Sequence, residues 1–299
     1  MTTGSPLRTL AVVRCGDQSL HESWAIGGKT FDVAVSYFGD DSERRFPEAA
    51  FVHRFKGGKW DGLYNFFLSF PETRLAYDYF WFPDDDLLAS APDVDTLMRL
   101  GNFYSLDFFQ PSLDNQSYFS HLLTLQHRSF ILRYSNFVEI MAPVLSQPLL
   151  EKALPTMTDT KSGFGLDFLW AEMAATLRRQ GNRPNVAIVD AVCIRHTRPV
   201  GGSLHQLIKK VGGNSSTDEL AIAINEVNTK TSSQISGVAV PRIRMFSGIT
   251  NGGKATSGPA ASALILRDLY SRSLNKMQPA PLGGIIRHAL KASFSKSKV

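Results

Sequence analysis

The chain has 299 residues, 43% hydrophobic and 20% charged, which excludes a disordered, collagenous or disulfide-scaffold protein and leaves one large or two smaller globular domains. Its net charge of +5 is unevenly spread, because residues 200–299 hold 13 Lys/Arg against 4 Asp/Glu and the other 199 residues hold 19 against 23. The basic last third suits either an anionic surface or a solvated, poorly ordered end.

In chain order, Leu10–Val13 is a first predicted strand, ending in Arg14-Cys15-Gly16-Asp17. Phe31–Tyr37 is a second, ending in Gly39-Asp40-Asp41, and Ala50–Arg54 a short third, followed by Lys56-Gly57-Gly58-Lys59. Leu63, Phe66, Phe67 and Phe70 recur at helical spacing and predict a helix from Gly62 to Ser69. The aromatic run Tyr77-Asp78-Tyr79-Phe80-Trp81-Phe82 is short and reads as a buried strand, with Pro83 as a hinge before Asp84, Asp85 and Asp86. A helix at Thr96–Leu100 and a strand at Ser105–Gln110 follow. Asn136–Val144 is apolar and buried in character, with Glu139 an odd charge inside it. Gly163-Phe164-Gly165-Leu166-Asp167 opens a helix running to Leu177, and Asn185–Arg195 is the last predicted strand, ending at His196. Strands separated by helical stretches predict a largely parallel, layered α/β sheet.

After Gly201 the character changes. Helices are expected at Ser203–Val211 and Asp218–Val227, a linker or disordered loop at residues 246–260, and, from Ala261 onward, two amphipathic helices around Pro279–Gly284. Residues 1–202 are therefore expected to form the main domain and 203–299 a basic, helical, partly flexible extension. Cys15 and Cys193 lie in apolar runs and read as buried small hydrophobes, which fits a reducing compartment. No signal peptide is visible and no apolar run nears the ~20 residues of a spanning helix. The expectation is a soluble, cytoplasmic protein, at most peripheral at the inner face of the membrane through its basic C-terminus, with nucleic acid not expected as a partner.

The acidic triplet carries the clearest chemistry. In an extended chain Asp84 and Asp86 point to one side and Asp85 to the other, and two carboxylates on one face suit a hard divalent cation shared with substrate phosphates. The alternative is that the triplet starts a helix at Leu87. Arg14, Gly16, Asp17, Lys56 and Lys59 at the other strand ends offer basic groups and close glycine backbone for a nucleotide diphosphate, while each loop alone fits ordinary turn chemistry. No glycine run matches a Walker A loop or a dinucleotide fingerprint. Asp167, at a helix entrance, is either a general base or a helix cap. His196 can complete the shell of a metal held by carboxylates.

Several segments together, Tyr77–Asp86, Gln110-Pro111-Ser112-Leu113, Glu139–Val144, Gly165-Leu166-Asp167-Phe168, Val189-Asp190-Ala191-Val192 and Arg195-His196, resemble the signatures of the domain-of-unknown-function family 707 over residues 7 to 202. That family is similar to the GT-A class of nucleotide-sugar glycosyltransferases. The resemblance implies a GT-A-like layered α/β sandwich with a mostly parallel central sheet, a nucleotide-binding N-terminal half and an acceptor-binding C-terminal half. It implies that Asp84 to Asp86 match the Asp-x-Asp motif, which binds Mn²⁺ or Mg²⁺ on the donor diphosphate. It nominates Asp167 as base and His196 as a third metal ligand, although inverting members often carry Glu-Asp where this chain has Leu166-Asp167. The expected activity is transfer of a sugar from a nucleotide diphosphate-sugar to a hydroxyl acceptor, a glycan or cell-surface polysaccharide. A non-catalytic nucleotide- or glycan-binding protein is the main rival. A metal-dependent phosphohydrolase is weaker, because the early strand ends in Arg14-Cys15-Gly16-Asp17 rather than an acidic pair.

Overall fold

A computed structural model describes residues 6–158, 160, 162–177, 184–199 and 243–274. Strands β1 (Thr9–Cys15), β2 (Asp32–Tyr37), β3 (Phe51–Arg54) and β4 (Tyr79–Trp81) alternate with helices α1 (Glu22–Ala25), α2 (Lys59–Ser69) and α3 (Thr73–Ala76). Then come β5 (Leu87–Leu88), α4 (Ala91–Phe103), β6 (Phe108–Leu113), β7 (Phe130–Ser135), β8 (Val144–Ser146), α5 (Gln147–Ala153), α6 (Leu166–Leu177) and β9 (Val186–His196). The described chain ends in β10 (Met245–Thr250), β11 (Ala255–Ser257) and α7 (Gly258–Leu274).

The sheet order is β11-β10-β7-β9-β6-β8-β4-β1-β2-β3, with β5 paired to β9 off this path. Following the pairings, β1, β2, β3, β4, β6, β9 and β10 run one way and β7, β8 and β11 the other. The result is a mixed α/β architecture around a large central sheet in which most strands share a direction.

β1 is buried on both faces, so its residues divide between two cores. Leu10 and Val12 join Trp60, Leu63, Phe66 and Phe67 of α2 and Trp170 of α6, whereas Ala11 and Val13 join Trp24 of α1 and Val94, Leu97 and Met98 of α4. Trp60, Trp81 and Trp170 are all core residues. α4 begins earlier than its apolar spacing alone suggests, because Ser90 and Asp93 form a reciprocal capping box ahead of Pro92.

Residues 246–260, expected as a linker, instead form the β10–β11 hairpin and the start of α7. Composition misled here: Gly, Ser and Thr suit a solvated loop, but β10 pairs antiparallel with β7 and the Thr250 N–H donates to the Lys254 carbonyl at 2.9 Å. α7 is tied to the sheet through Ser129, whose N–H and hydroxyl donate to Asp268 at 2.9 and 2.6 Å. The first of the two helices expected from Ala261 onward corresponds to α7, whereas those expected at Ser203–Val211, at Asp218–Val227 and after Gly284 lie outside the described residues. No helix among the described residues is long and apolar enough to cross a membrane.

Arg133 on β7 and Asp190 on β9 form a fully buried bidentate pair, Nε to Oδ2 at 2.7 Å and Nη2 to Oδ1 at 2.9 Å. Removing one partner strands the other charge in the core, so Asp190→Ala is expected to cost about 3–5 kcal/mol, seen as a lower denaturant midpoint. A loss below about 1 kcal/mol would show that Arg133 finds another partner.

Candidate active site

The carboxyl ends of β1, β2, β3, β4, β6 and β9 open on one edge of the sheet, the place where open α/β sheets hold ligands. The acidic triplet leaves β4 along this edge as a loop, and the next helix starts only at Ala91, so the triplet is not a helix start. Asp84 is anchored by its N–H, which donates to the Met141 carbonyl at 2.7 Å. Asp86 precedes the two-residue strand β5, whose Leu87 pairs with His196 at the end of β9. That short ladder sets Asp86 beside a histidine 110 positions away in the chain.

Asp84, Asp86 and His196 each offer one ligand atom, and these atoms lie within 4.8 Å of one another. His196 Nε2 is 3.2 Å from Asp86 Oδ2, while its Nδ1 donates to the Tyr118 carbonyl at 2.8 Å. The Tyr118 contact fixes the ring and leaves Nε2 facing the carboxylates, the tautomer a metal-ligating imidazole requires. Asp86 Oδ1 is buried with no hydrogen-bond partner. Burial disfavours a charged His196, but Asp86, the Tyr118 carbonyl and Asp84 more than offset it and raise its pKa. Burial raises the Asp84 pKa against the pull of Lys59, whose ammonium donates to Asp84 Oδ1 at 2.6 Å and to the Ile140 carbonyl at 2.7 Å.

Asp85 turns away from this group. It accepts from the Gly16 N–H at 3.0 Å and from Arg198 at 3.2 Å, linking the ends of β1, β4 and β9. Arg14 is buried, and its guanidinium donates to Ser36 Oγ at 3.0 Å and to the carbonyls of Ser36, Phe55 and Gly57 at 3.2, 3.1 and 2.7 Å. It passes across α2 where Gly62 lacks a side chain, since a Cβ there would lie 2.3 Å from Arg14 Nε. Burial lowers its pKa to about 10. Arg14 thus builds the wall behind the β1 loop. Asp17 accepts from the Tyr37 hydroxyl, and Lys56 is exposed, donating to the Phe38 and Gly39 carbonyls at 2.7 and 2.6 Å and to Asp40 at 2.5 Å. Of the sequence-nominated residues, Asp84, Asp86, His196 and Lys59 converge at one point. Gly16 and Asp85 sit beside them, and Asp17 and Lys56 line the β2 side.

Asp167 lies in the first turn of α6, 9% exposed, and its Oδ1 accepts the Phe168 N–H at 2.9 Å. Capping and burial coexist here: desolvation pushes its pKa up to about 7 despite the helical N–H groups that pull it down. The loop before it packs closely, with Gly163 at φ +80° and its missing Cβ facing Trp60 Nε1 at 2.0 Å. Two residues gain a place that sequence reasoning left open. Arg198 binds Asp85 and the Gln18 carbonyl, across β9 and β1. Glu139 is buried in the segment between β7 and β8, where only its isolation among apolar residues gave a signal.

No family model and no curated protein matches the chain. Among solved structures, S. aureus TarS aligns with 77% of this chain at 9% identity and a TM-score of 0.48, and the chain spans only 41% of that protein. Residues 1–349 of TarS in complex with UDP-GlcNAc align at 11% identity and a TM-score of 0.46, over 77% of this chain and 68% of that one. A197 from STIV aligns with 64% of this chain and 85% of its own at 14% identity, with a TM-score of 0.38.

Proposed function

We propose that this chain is a metal-dependent glycosyltransferase of the GT-A kind, related to the domain-of-unknown-function family 707, that moves a sugar from a nucleotide diphosphate-sugar to a hydroxyl acceptor. One observation carries the reading: Asp84, Asp86 and His196 converge, with Asp86 Oδ1 buried and unpartnered, at the strand-end edge where nucleotides bind. Two carboxylates and an imidazole fit Mn²⁺ or Mg²⁺, with Mn²⁺ the better match for a nitrogen ligand. Such an ion, when bound, supplies positive charge for the leaving diphosphate.

The remaining roles belong to the chain itself. Lys59 lies within reach of the same diphosphate, and the Gly16, Asp17 and Lys56 loops border the nucleotide. Asp85 and Arg198 hold the β1, β4 and β9 loops in register around it. Asp167 takes the acceptor proton as the acceptor oxygen bonds to the anomeric carbon, and the anomeric carbon–oxygen bond breaks with its electrons passing to the diphosphate. The buried position of Asp167 suits this, since a carboxylate with a pKa near neutrality is a stronger base than an exposed one. The acceptor is proposed to be a glycan or related polyol, with a peripheral membrane contact through the basic C-terminus as a further part of the proposal.

A thermal-shift panel of UDP, GDP and dTDP with and without Mn²⁺ tests the reading, because a ligand selective for the native state raises its apparent stability. At 100 times its Kd the nucleotide is expected to add about 2.7 kcal/mol, visible as a rise in Tm only when the ion is present. The Lys59–Asp84 ion pair is the observation that favours the rival reading, a non-catalytic binder, since Lys59 is already a cation at the site. Nucleotide binding of equal strength without the metal would select that rival.

A further inference from the structure

Glu139 is held firmly yet left incomplete. Its N–H donates to Gln110 Oε1 at 2.5 Å, and Ser120 donates to one of its carboxylate oxygens. The neighbouring carbonyls are all engaged at the site, Ile140 by Lys59, Met141 by the Asp84 N–H and Ala142 by Trp81. The other carboxylate oxygen, Oε2, is buried without a partner, and the residue is only 6% exposed. A buried acceptor left unpaired costs about 1–3 kcal/mol, so this oxygen, free of protein partners, favours a hydrogen-bond donor that enters the site.

The surroundings identify that partner. The next two residues, Ile140 and Met141, bond Lys59 and Asp84 directly, and the Glu139 carboxylate is coupled in charge to Asp167, His196 and Asp84, so it lies near both the metal ligands and the base. It is not one of the three converging ligands. Given the transferase reading, a diphosphate lies at Asp84, Asp86 and His196 and the acceptor hydroxyl at Asp167. The group joining them is the sugar under transfer, whose hydroxyls are hydrogen-bond donors. Resting on that reading, we propose that Glu139 accepts a hydrogen bond from a hydroxyl of the donor sugar and so distinguishes a nucleotide-sugar from the bare nucleotide. Burial raises its pKa to about 7, with Asp167 adding to the rise.

Calorimetry separates this from a structural role. In the presence of Mn²⁺, wild-type protein is titrated with UDP, UDP-glucose, UDP-N-acetylglucosamine, GDP and GDP-mannose, and then Glu139→Gln and Glu139→Leu are titrated with the same set. The expected result is that one sugar nucleotide binds wild type at least about tenfold more tightly than its parent diphosphate, as a hydrogen bond to a charged group allows. Glu139→Leu should lose that gain and Glu139→Gln should reduce it, with both binding the diphosphate within about twofold of wild type. The unliganded Tm of Glu139→Leu should stay close to that of wild type, because removal of the orphaned buried acceptor offsets the loss of the Ser120 hydrogen bond. A sugar-specific gain that survives in both variants overturns the proposal, as does an equal loss of diphosphate and sugar-nucleotide affinity. If wild-type protein binds none of the diphosphates with metal, the transferase reading itself fails and the role of Glu139 falls with it.

Discussion

Asp86→Asn is expected to abolish metal-dependent nucleotide binding while leaving the fold intact. The side chain keeps its volume, but one of three converging donors loses its charge, and the orphaned Oδ1 no longer offers a full negative charge to an ion. Changes in the shell around metal ligands typically cost about 10–100-fold in affinity, so loss of a ligand should exceed about 100-fold. Asp84→Ala should act in the same direction and also free Lys59 from its ion pair. Circular dichroism and thermal unfolding of the unliganded variants would check the fold, and titration of Mn²⁺ with UDP or GDP would check the site. Metal-dependent binding at wild-type strength in both variants would remove the acidic loop from the mechanism.

Asp167→Asn should bind the donor normally and fail to transfer it. General base catalysis contributes about 10²–10⁴-fold, so kcat is expected to fall by that range with little change in donor affinity. Wild-type activity should fall as pH drops below the Asp167 pKa of about 7, because the protonated acid no longer accepts the acceptor proton. The variant should lose that limb of the profile. Stability runs the opposite way: between the ordinary aspartate value of 3.8 and about 7 the native state binds the proton and the unfolded chain does not. Wild-type stability therefore declines as pH rises through this window, and Asp167→Asn should flatten the decline. A variant with full kcat would show that another group serves as base.

Much of the fold was legible because its signals are local. The aromatic run at Tyr77–Phe82, the helical spacing of Leu63, Phe66 and Phe67, and the apolar run ending at His196 each carry their own periodicity, and each forms the element they indicate. The hairpin at residues 245–257 was not legible. Its Gly, Ser and Thr residues are ordered by pairing with β7, a partner more than 100 residues earlier, and composition carries no trace of such a partner.

The site divides along the same line. The three aspartates after an aromatic strand, the glycines before Asp167 and the histidine closing a strand are matters of residue type and order, and sequence alone is enough to single them out. Which of them meet is a matter of register. Pairing of Leu87 with His196 brings Asp86 to the imidazole, and the turn of Asp85 toward Gly16 and Arg198 removes it from the group. Burial is equally a property of the packed chain: Arg14 looks like a free cation in sequence, yet four backbone and side-chain acceptors from β2 and the β3–α2 loop hold its two terminal nitrogens. The unpartnered oxygens of Asp86 and Glu139 exist only because long-range packing excludes water around them, which no local stretch of sequence can encode.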